Sequence, residues 1–149
     1  MRFANILCMF QMAMSPVLAA MTSSNMLESN SCKIEISDFP FETVKAFFEF
    51  LYMGHLPSHV FCEDLIDLWA LGDKYDVPSL RCYMEKIHAK TVMHGSALTR
   101  LLKADQFGAK IIKEQLVDYI VRNRRTLIEN AEFETLPKRL MVEIIRAIP

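Results

Sequence analysis

The sequence predicts an α+β fold that is predominantly helical, with a small sheet at the front and helices behind. Residues 33–36 alternate charged and apolar side chains, and this period of two is typical of a half-buried strand. From Phe41 onward, apolar residues recur every three or four positions, as on the buried face of a helix. Only 4 glycines and 6 prolines interrupt the chain, so the helices are joined by short connections and pack as neighbours.

The composition narrows the classes of protein to consider. Apolar residues make up 52% of the 149 residues, which is enough for one compact domain, or one domain with a helical extension. The net charge of -1 argues against a nucleic-acid-binding surface and against attachment to anionic membranes. The 4 cysteines form no CxxC pair, a pattern that suits a reducing compartment.

The first 21 residues combine one arginine with an apolar stretch, as a weak secretory signal peptide does. However, Asn5, Gln11 and Pro16 interrupt this stretch, and it is too short to span a membrane. We therefore favour a buried strand followed by a helix that begins at Pro16, because proline suits the first helical turn.

Turn-forming residues mark the ends of the next three helices. The second helix is predicted between Pro40 and Gly54, and the third is predicted to begin at Glu63. A corner at residues 76–78 leads to the fourth helix. The expected apolar faces are Phe41, Val44, Phe47, Phe48, Leu51 and Tyr52, then Leu65, Leu68, Trp69, Gly72 and Tyr75, then Leu80, Tyr83, Met84 and Ile87.

Beyond Val92 the pattern is helical throughout. Gly108 is placed to end one helix, and Pro137 is placed to begin the last one. In that last helix, the residues predicted to face inward are Leu140, Met141, Ile144, Ile145 and Ile148.

No reaction centre emerges from the residues. A zinc site is one candidate, because His55, His59 and Cys62 have suitable spacing, with Cys82 or His88 as a fourth ligand. However, these histidines lie in a predicted loop without a matched pair of ligands elsewhere. A reactive thiol at Cys62 is a second candidate, but its acidic neighbours would raise the thiol pKa and so oppose its activation. No GxSxG, GxGxxG or P-loop motif occurs in the sequence. We therefore expect no enzyme activity, no metal and no cofactor.

One segment has the character of a docking element. In Phe61-Cys62-Glu63, an aromatic ring precedes a carboxylate at a predicted helix start. If exposed, such a ring would supply desolvation on binding, and the carboxylate would orient the partner. Alternatively, Phe61 folds back onto the core as a helix staple. The residues alone leave both interpretations open.

Six segments together resemble a BTB/POZ domain, and their order is more specific than any one of them. The family's "FLYTG.LP" segment and its "ALADKY.V..L" helix and corner have close counterparts here. The segments are residues 15–21 (SPVLAAM), 25–29 (NMLES), 34–38 (IEISD), 50–57 (FLYMGHLP), 70–75 (ALGDKY) and 77–80 (VPSL).

The remainder is similar to the helical extension that follows the BTB domain in MATH–BTB proteins of the speckle-type POZ group. Residues 101–109 (LLKADQFGA) and 116–120 (LVDYI) carry this likeness. The resemblance implies a BTB/POZ-like domain over residues 1–90 and a 3-box or BACK-like extension over residues 91–149.

The resemblance also implies a function in the nucleus or cytoplasm. Proteins of this kind are substrate adaptors whose BTB domain binds cullin-3, the scaffold of a ubiquitin ligase that directs protein degradation. Many of them use a hydrophobic-x-Glu motif, which falls here on Phe61 and Glu63. Tyr75, at the end of the following helix, is a third and weaker candidate for cullin binding.

The sequence departs from the family pattern in two respects. The first strand and first helix, which build the family's dimer interface, have no counterpart, so the BTB/POZ fold is expected to be incomplete. No MATH, kelch or other substrate-binding domain is recognised. An alternative function is therefore a self-associating scaffold, or a dominant-negative partner that forms homodimers or heterodimers with BTB proteins without recruiting a ligase.

Overall fold

The computed structural model describes residues 15–23, 36–56, 65–129 and 131–149. Within these ranges the regular structure is helical. The helices are α1 (Pro16–Ser23), α2 (Phe41–Met53), α3 (Leu65–Lys74), α4 (Pro78–Thr91), α5 (Ala97–Gln106), α6 (Lys110–Arg122), α7 (Arg124–Leu127), α8 (Ala131–Glu134) and α9 (Lys138–Arg146), with a short 3₁₀ helix, His94–Ser96, before α5.

The predicted strand at residues 33–36 lies outside the described residues, except for Ile36, which has no regular secondary structure. The predominance of helix is confirmed, whereas the sheet of the predicted α+β fold stays a prediction. None of the described helices is long and apolar enough to cross a membrane.

The chain divides into two compact units, one ending at Tyr83 and the other running from Met84 to Pro149. The division falls inside α4, whereas the domain boundary predicted from the sequence follows residue 90. That boundary, and the 3-box or BACK-like character of the extension, stay predictions.

In the first unit, α2 packs against α3. As predicted, α2 follows Pro40 and ends at Gly54, which has a left-handed φ of 73° that a residue with a Cβ adopts only with strain. The Gly54 N–H donates to the carbonyl of Phe50 at 2.8 Å. The buried residues of α2 are Thr43, Ala46, Phe47, Phe48, Phe50 and Leu51.

The predicted apolar stripe of α2 is wrong at its two ends. Phe41 and Tyr52 are 60% and 67% exposed. At 3.6 residues per turn, both lie on the side of the helix opposite Phe47, while Thr43 and Phe50 occupy the buried side. The aromatic character of Phe41 and Tyr52 suggested burial, but their angular position excludes it.

In the second unit, α5 packs along α6, and α9 also contacts α6. The turn between α5 and α6 confirms the predicted role of Gly108, whose φ is 71°. In this turn the Ala109 N–H donates to the Ala104 carbonyl at 2.8 Å, as in a Schellman motif. In α9, Leu140 and Ile144 are fully buried. The inward position predicted for Ile145 is wrong, because its side chain is 58% exposed, about 100° around the helix from Ile144.

A carboxylate joins three helices of the second unit. The Asp105 side chain is 5% exposed and accepts from the Lys113 ammonium at 3.1 Å and from the Arg139 guanidinium. Lys113 also contacts Glu143 at 2.7 Å, and this ion pair raises the pKa of the Lys113 ammonium. Because Asp105 lies in the last turn of α5, the helix dipole opposes its charge, and the two cations from α6 and α9 compensate.

We expect Asp105→Asn to lower the free energy of unfolding by roughly 2 kcal/mol, because the largely buried Lys113 ammonium would lose its buried anion, whereas Arg139 is 69% exposed and loses less. Asp118→Asn is the matched control, since the Asp118–Arg122 pair is 3.8 Å apart and largely exposed. The control should change stability by less than about 0.5 kcal/mol. Urea unfolding followed by far-UV circular dichroism measures both, and equal effects of the two variants would contradict the assignment.

Candidate interaction site

The predicted docking residues Phe61 and Glu63 belong to residues 57–64, which lie outside the described residues. Cys62 and His59 lie there as well. The structure describes both flanks of this segment: α2 leads into it and α3 follows it. The positions of these two flanks therefore define the two points at which the segment joins the described structure.

The flank formed by α2 presents apolar surface. Tyr52 and Met53, in its last turn, are exposed, and Gly54 then turns the chain out of the helix. His55 is exposed and Leu56 is half-buried. Exposed apolar side chains immediately before a loop are available for contact with a partner.

The flank formed by α3 is buried on all sides. Every residue of α3 from Leu65 to Gly72 is buried, including the acidic Asp67. The predicted inward residues of this helix are confirmed as buried, but the sequence pattern underestimated how many others would join them. A helix enclosed in this way gives the preceding segment a fixed attachment point at Leu65.

Tyr75, the third predicted docking residue, is only 3% exposed. Its ring lies 5.5 Å from the ring of Phe47, measured between centroids, so it contributes to the aromatic core between α2 and the end of α3. Burial raises the pKa of its hydroxyl. The Lys74 ammonium lies 5.4 Å from the ring centroid, a cation–π distance. The geometry gives Tyr75 a packing role, and its role in cullin binding stays a prediction.

Lys74 also forms an ion pair with Asp38, with 2.7 Å between the ammonium and the carboxylate. The hydrogen bond lowers the pKa of Asp38 and raises the pKa of Lys74. Because both side chains are about half exposed, water screens the pair and its contribution to stability is small. The pair positions the segment before α2 without contributing much to the stability of the fold.

The predicted corner at residues 76–78 is confirmed. Asp76 has a left-handed φ of 49°, the Val77 N–H donates to the Gly72 carbonyl at 2.7 Å, and Pro78 begins α4. A Cβ added at Gly72 would lie 3.2 Å from the Arg81 side chain, so the absence of a side chain lets α4 approach closely.

The described residues offer no cluster of three or more histidine, cysteine or acidic side chains that could hold a metal ion. Among the zinc candidates, Cys82 is an exposed free thiol and His88 is fully buried. His59 and Cys62 lie outside the described residues, so the zinc site suggested by the spacing stays a hypothesis.

Comparison with known proteins assigns a family to this arrangement. The BTB/POZ domain model matches residues 8–92. The chain is 28% identical over 138 residues to BTB and MATH domain-containing protein 42 of Caenorhabditis elegans, a match covering 90% of the chain and 34% of that protein. It is 31% identical to a BTB/POZ domain-containing protein of Arabidopsis thaliana, over 89% of the chain and 55% of that protein.

A mammalian protein with a POZ domain is also similar to the chain. TD and POZ domain-containing protein 3 of Mus musculus is 30% identical over 129 residues, which cover 85% of the chain and 34% of the mouse protein. The chain thus spans between about a third and a little over half of the length of the relatives it matches.

Substitution of Tyr75 tests whether its role is packing. We expect Tyr75→Ala to lower the free energy of unfolding by about 3 kcal/mol or more, because a large buried ring is removed from the aromatic core. Tyr75→Phe retains the ring and should cost about 1 kcal/mol or less. Tyr52→Ala is the exposed control and should change stability by less than about 0.5 kcal/mol. Thermal and urea unfolding measure the series; a stable Tyr75→Ala variant would remove the packing role.

Proposed function

The chain belongs to the BTB/POZ domain family, and on that basis we propose that it is a protein-interaction adaptor that binds cullin-3 through the segment between α2 and α3. BTB/POZ domains act by binding other proteins rather than by catalysis. The proposed contacts are the ring of Phe61 and the carboxylate of Glu63, and the proposed setting is ubiquitin-dependent degradation in the nucleus or cytoplasm.

The observation that carries the proposal is the position of the motif. Phe61-Cys62-Glu63 ends two residues before α3 begins at Leu65, in a chain whose family is established by the match to residues 8–92. The resemblance associates this hydrophobic-x-Glu pattern with cullin-3 docking. A short anchored segment costs less ordering entropy on binding than a free one, because its attachment point is already fixed.

The surroundings of the motif support the same proposal. The flank at the end of α2 adds the exposed apolar side chains of Tyr52 and Met53. An interface of this kind combines apolar anchors with a carboxylate that selects orientation. Tyr75, being buried, would act on docking only indirectly, by holding the end of α3 against α2.

Binding to the purified cullin-3 amino-terminal domain tests the assignment. We expect the double variant Phe61→Ala, Glu63→Ala to raise the dissociation constant at least tenfold. This corresponds to a loss of about 1.4 kcal/mol or more of binding free energy, because an aromatic anchor and its charged neighbour are removed. Isothermal titration calorimetry of the wild-type and variant chains measures this change.

The chain offers a matched control for this experiment. Phe41 and Glu42 are also an aromatic residue beside a carboxylate, and both are exposed at the start of α2. The double variant Phe41→Ala, Glu42→Ala should bind cullin-3 as the wild type does. Equal affinity of the wild type and the Phe61, Glu63 double variant would remove the cullin-3 assignment.

A second candidate function is self-association, as a scaffold or as a partner that pairs with other BTB proteins without recruiting a ligase. The observation that favours it is exposed apolar surface on α9, where Val142 and Ile145 are three residues apart and therefore neighbours on one face. Surface of this kind is common at contacts between protein copies.

Size-exclusion chromatography with light scattering distinguishes the two candidates. For self-association we expect a mass near twice the 17.2 kDa of the chain, or a mixed complex with a full-length MATH–BTB relative. A strict monomer that forms no mixed complex would exclude the second candidate. That outcome would leave the cullin-3 proposal to its own binding measurement.

A further inference from the structure

The core of the second unit contains a histidine that the proposed function does not use. His88 lies in α4, one turn before its end, and its side chain is fully buried. In the described part of this unit, His88 and Arg100 are the two buried polar residues, and the other buried residues are apolar. A polar ring is costly in such a position unless its hydrogen-bonding groups are satisfied.

Polar groups from three helices meet at this point, and we call His88, Arg100 and Gln115 the polar cluster. Arg100 comes from α5 and donates to the carbonyl of Thr91, at the end of α4, at 3.2 Å. Gln115 comes from α6 and lies close to the ring. The cluster therefore lies where α4, α5 and α6 converge.

The hydrogen-bonding capacity of the cluster is incompletely used. Neither ring nitrogen of His88 has a partner at full hydrogen-bond geometry among the described residues, and the Oε1 atom of Gln115 has none either, although Gln115 lies close enough to the ring to raise its pKa. Each such buried group carries a desolvation cost of the order of a lost hydrogen bond.

The charges around the ring all oppose its protonation. From α5, the Arg100 guanidinium acts on the ring as a neighbouring positive charge. From α6 the facing group is the uncharged Gln115, whose side chain favours the protonated ring and so opposes part of the lowering of the His88 pKa, and the carboxylate of Glu85 on α4 does not contribute. A protonated ring would be a second buried cation beside Arg100, with no facing carboxylate among the described residues to compensate it.

We propose that the polar cluster is an acid-responsive switch, in which protonation of His88 disfavours the packing of α4, α5 and α6 and opens the second unit. Burial first, and then Arg100, lower the pKa of His88 from 6.5 to about 4. The open state has the ordinary pKa, so between these two values it binds one more proton than the closed state. Closed-state stability is complete above pH 6.5 and is lost as the pH falls towards 4.

The size of the effect follows from the two pKa values. Between pH 7.5 and pH 5.0, the equilibrium constant for opening should rise by about 25-fold. Hydrogen–deuterium exchange of the full chain, read by mass spectrometry and corrected for the intrinsic rate at each pH, measures this change in peptides from α5 and α6. Trp69 is the single tryptophan and lies in α3, so its fluorescence reports separately on the first unit.

Two histidine substitutions make the test specific. His88→Gln removes the titrating ring, and the 25-fold rise should disappear. His55→Gln is the matched control, because His55 is exposed in the loop after α2, and it should retain the full rise. Retention of the rise in His88→Gln, or equal corrected exchange of the wild type at both pH values, would overturn the proposal.

If His88→Gln does not fold, the wild-type chain still gives a decisive measurement. The carbon-13 resonance of the His88 ring, followed by nuclear magnetic resonance from pH 8 to pH 5, should move by no more than about a tenth of its full titration shift while the protein is folded. A ring that titrates with a midpoint above about 6 in the folded protein would exclude the switch, because no proton uptake would then be coupled to opening.

Discussion

The arrangement of the first unit depends on the two hydrogen bonds made by the hydroxyl of Ser15. It accepts a hydrogen bond from the Leu18 N–H at 3.1 Å, which caps α1, and it donates to the Tyr75 carbonyl at 2.5 Å, where α3 ends. Ser15 is fully buried, so neither of its two partners could find water in its place. One side chain therefore joins the start of α1 to the end of α3 through two residues, Ser15 and Tyr75, that are 60 positions apart in sequence. The position of the Tyr75 ring against Phe47 follows from that attachment.

The burial of α3 bears on the docking site proposed for the segment before it. The helix is buried from Leu65 to Gly72, and the chain turns sharply at Asp76 into α4. Binding elements are most effective when rigid structure positions them, because less conformational entropy is then lost on association. The chemistry of such a site lies in a few side chains of the connecting segment, and the rest of the unit supplies its geometry.

The sequence predicted best those features that arise from local backbone chemistry. The helix end at Gly54, the corner before Pro78 and the turn at Gly108 were all predicted correctly, because glycine and proline impose conformations that neighbours cannot override. Burial was less predictable. The exposed Ile145 and the buried His88 contradict what their polarity suggests, since burial depends on which helices pack above each position. The proposed docking motif was suggested only by resemblance, because spacing alone does not distinguish an exposed ring from a helix staple.

The two units are stabilised by different kinds of interaction, and this difference bears on function. Aromatic packing dominates the first, where Phe47 lies 5.5 Å from both Phe48 and Tyr75, and such contacts change little with pH or salt. In the second unit a titratable ring lies within the packed structure, since His88 is buried beside the buried Arg100 guanidinium. Interactions of that kind depend on protonation state. The proposed docking segment thus falls within the unit that has the aromatic core, while the proposed acid-responsive cluster belongs to the other unit.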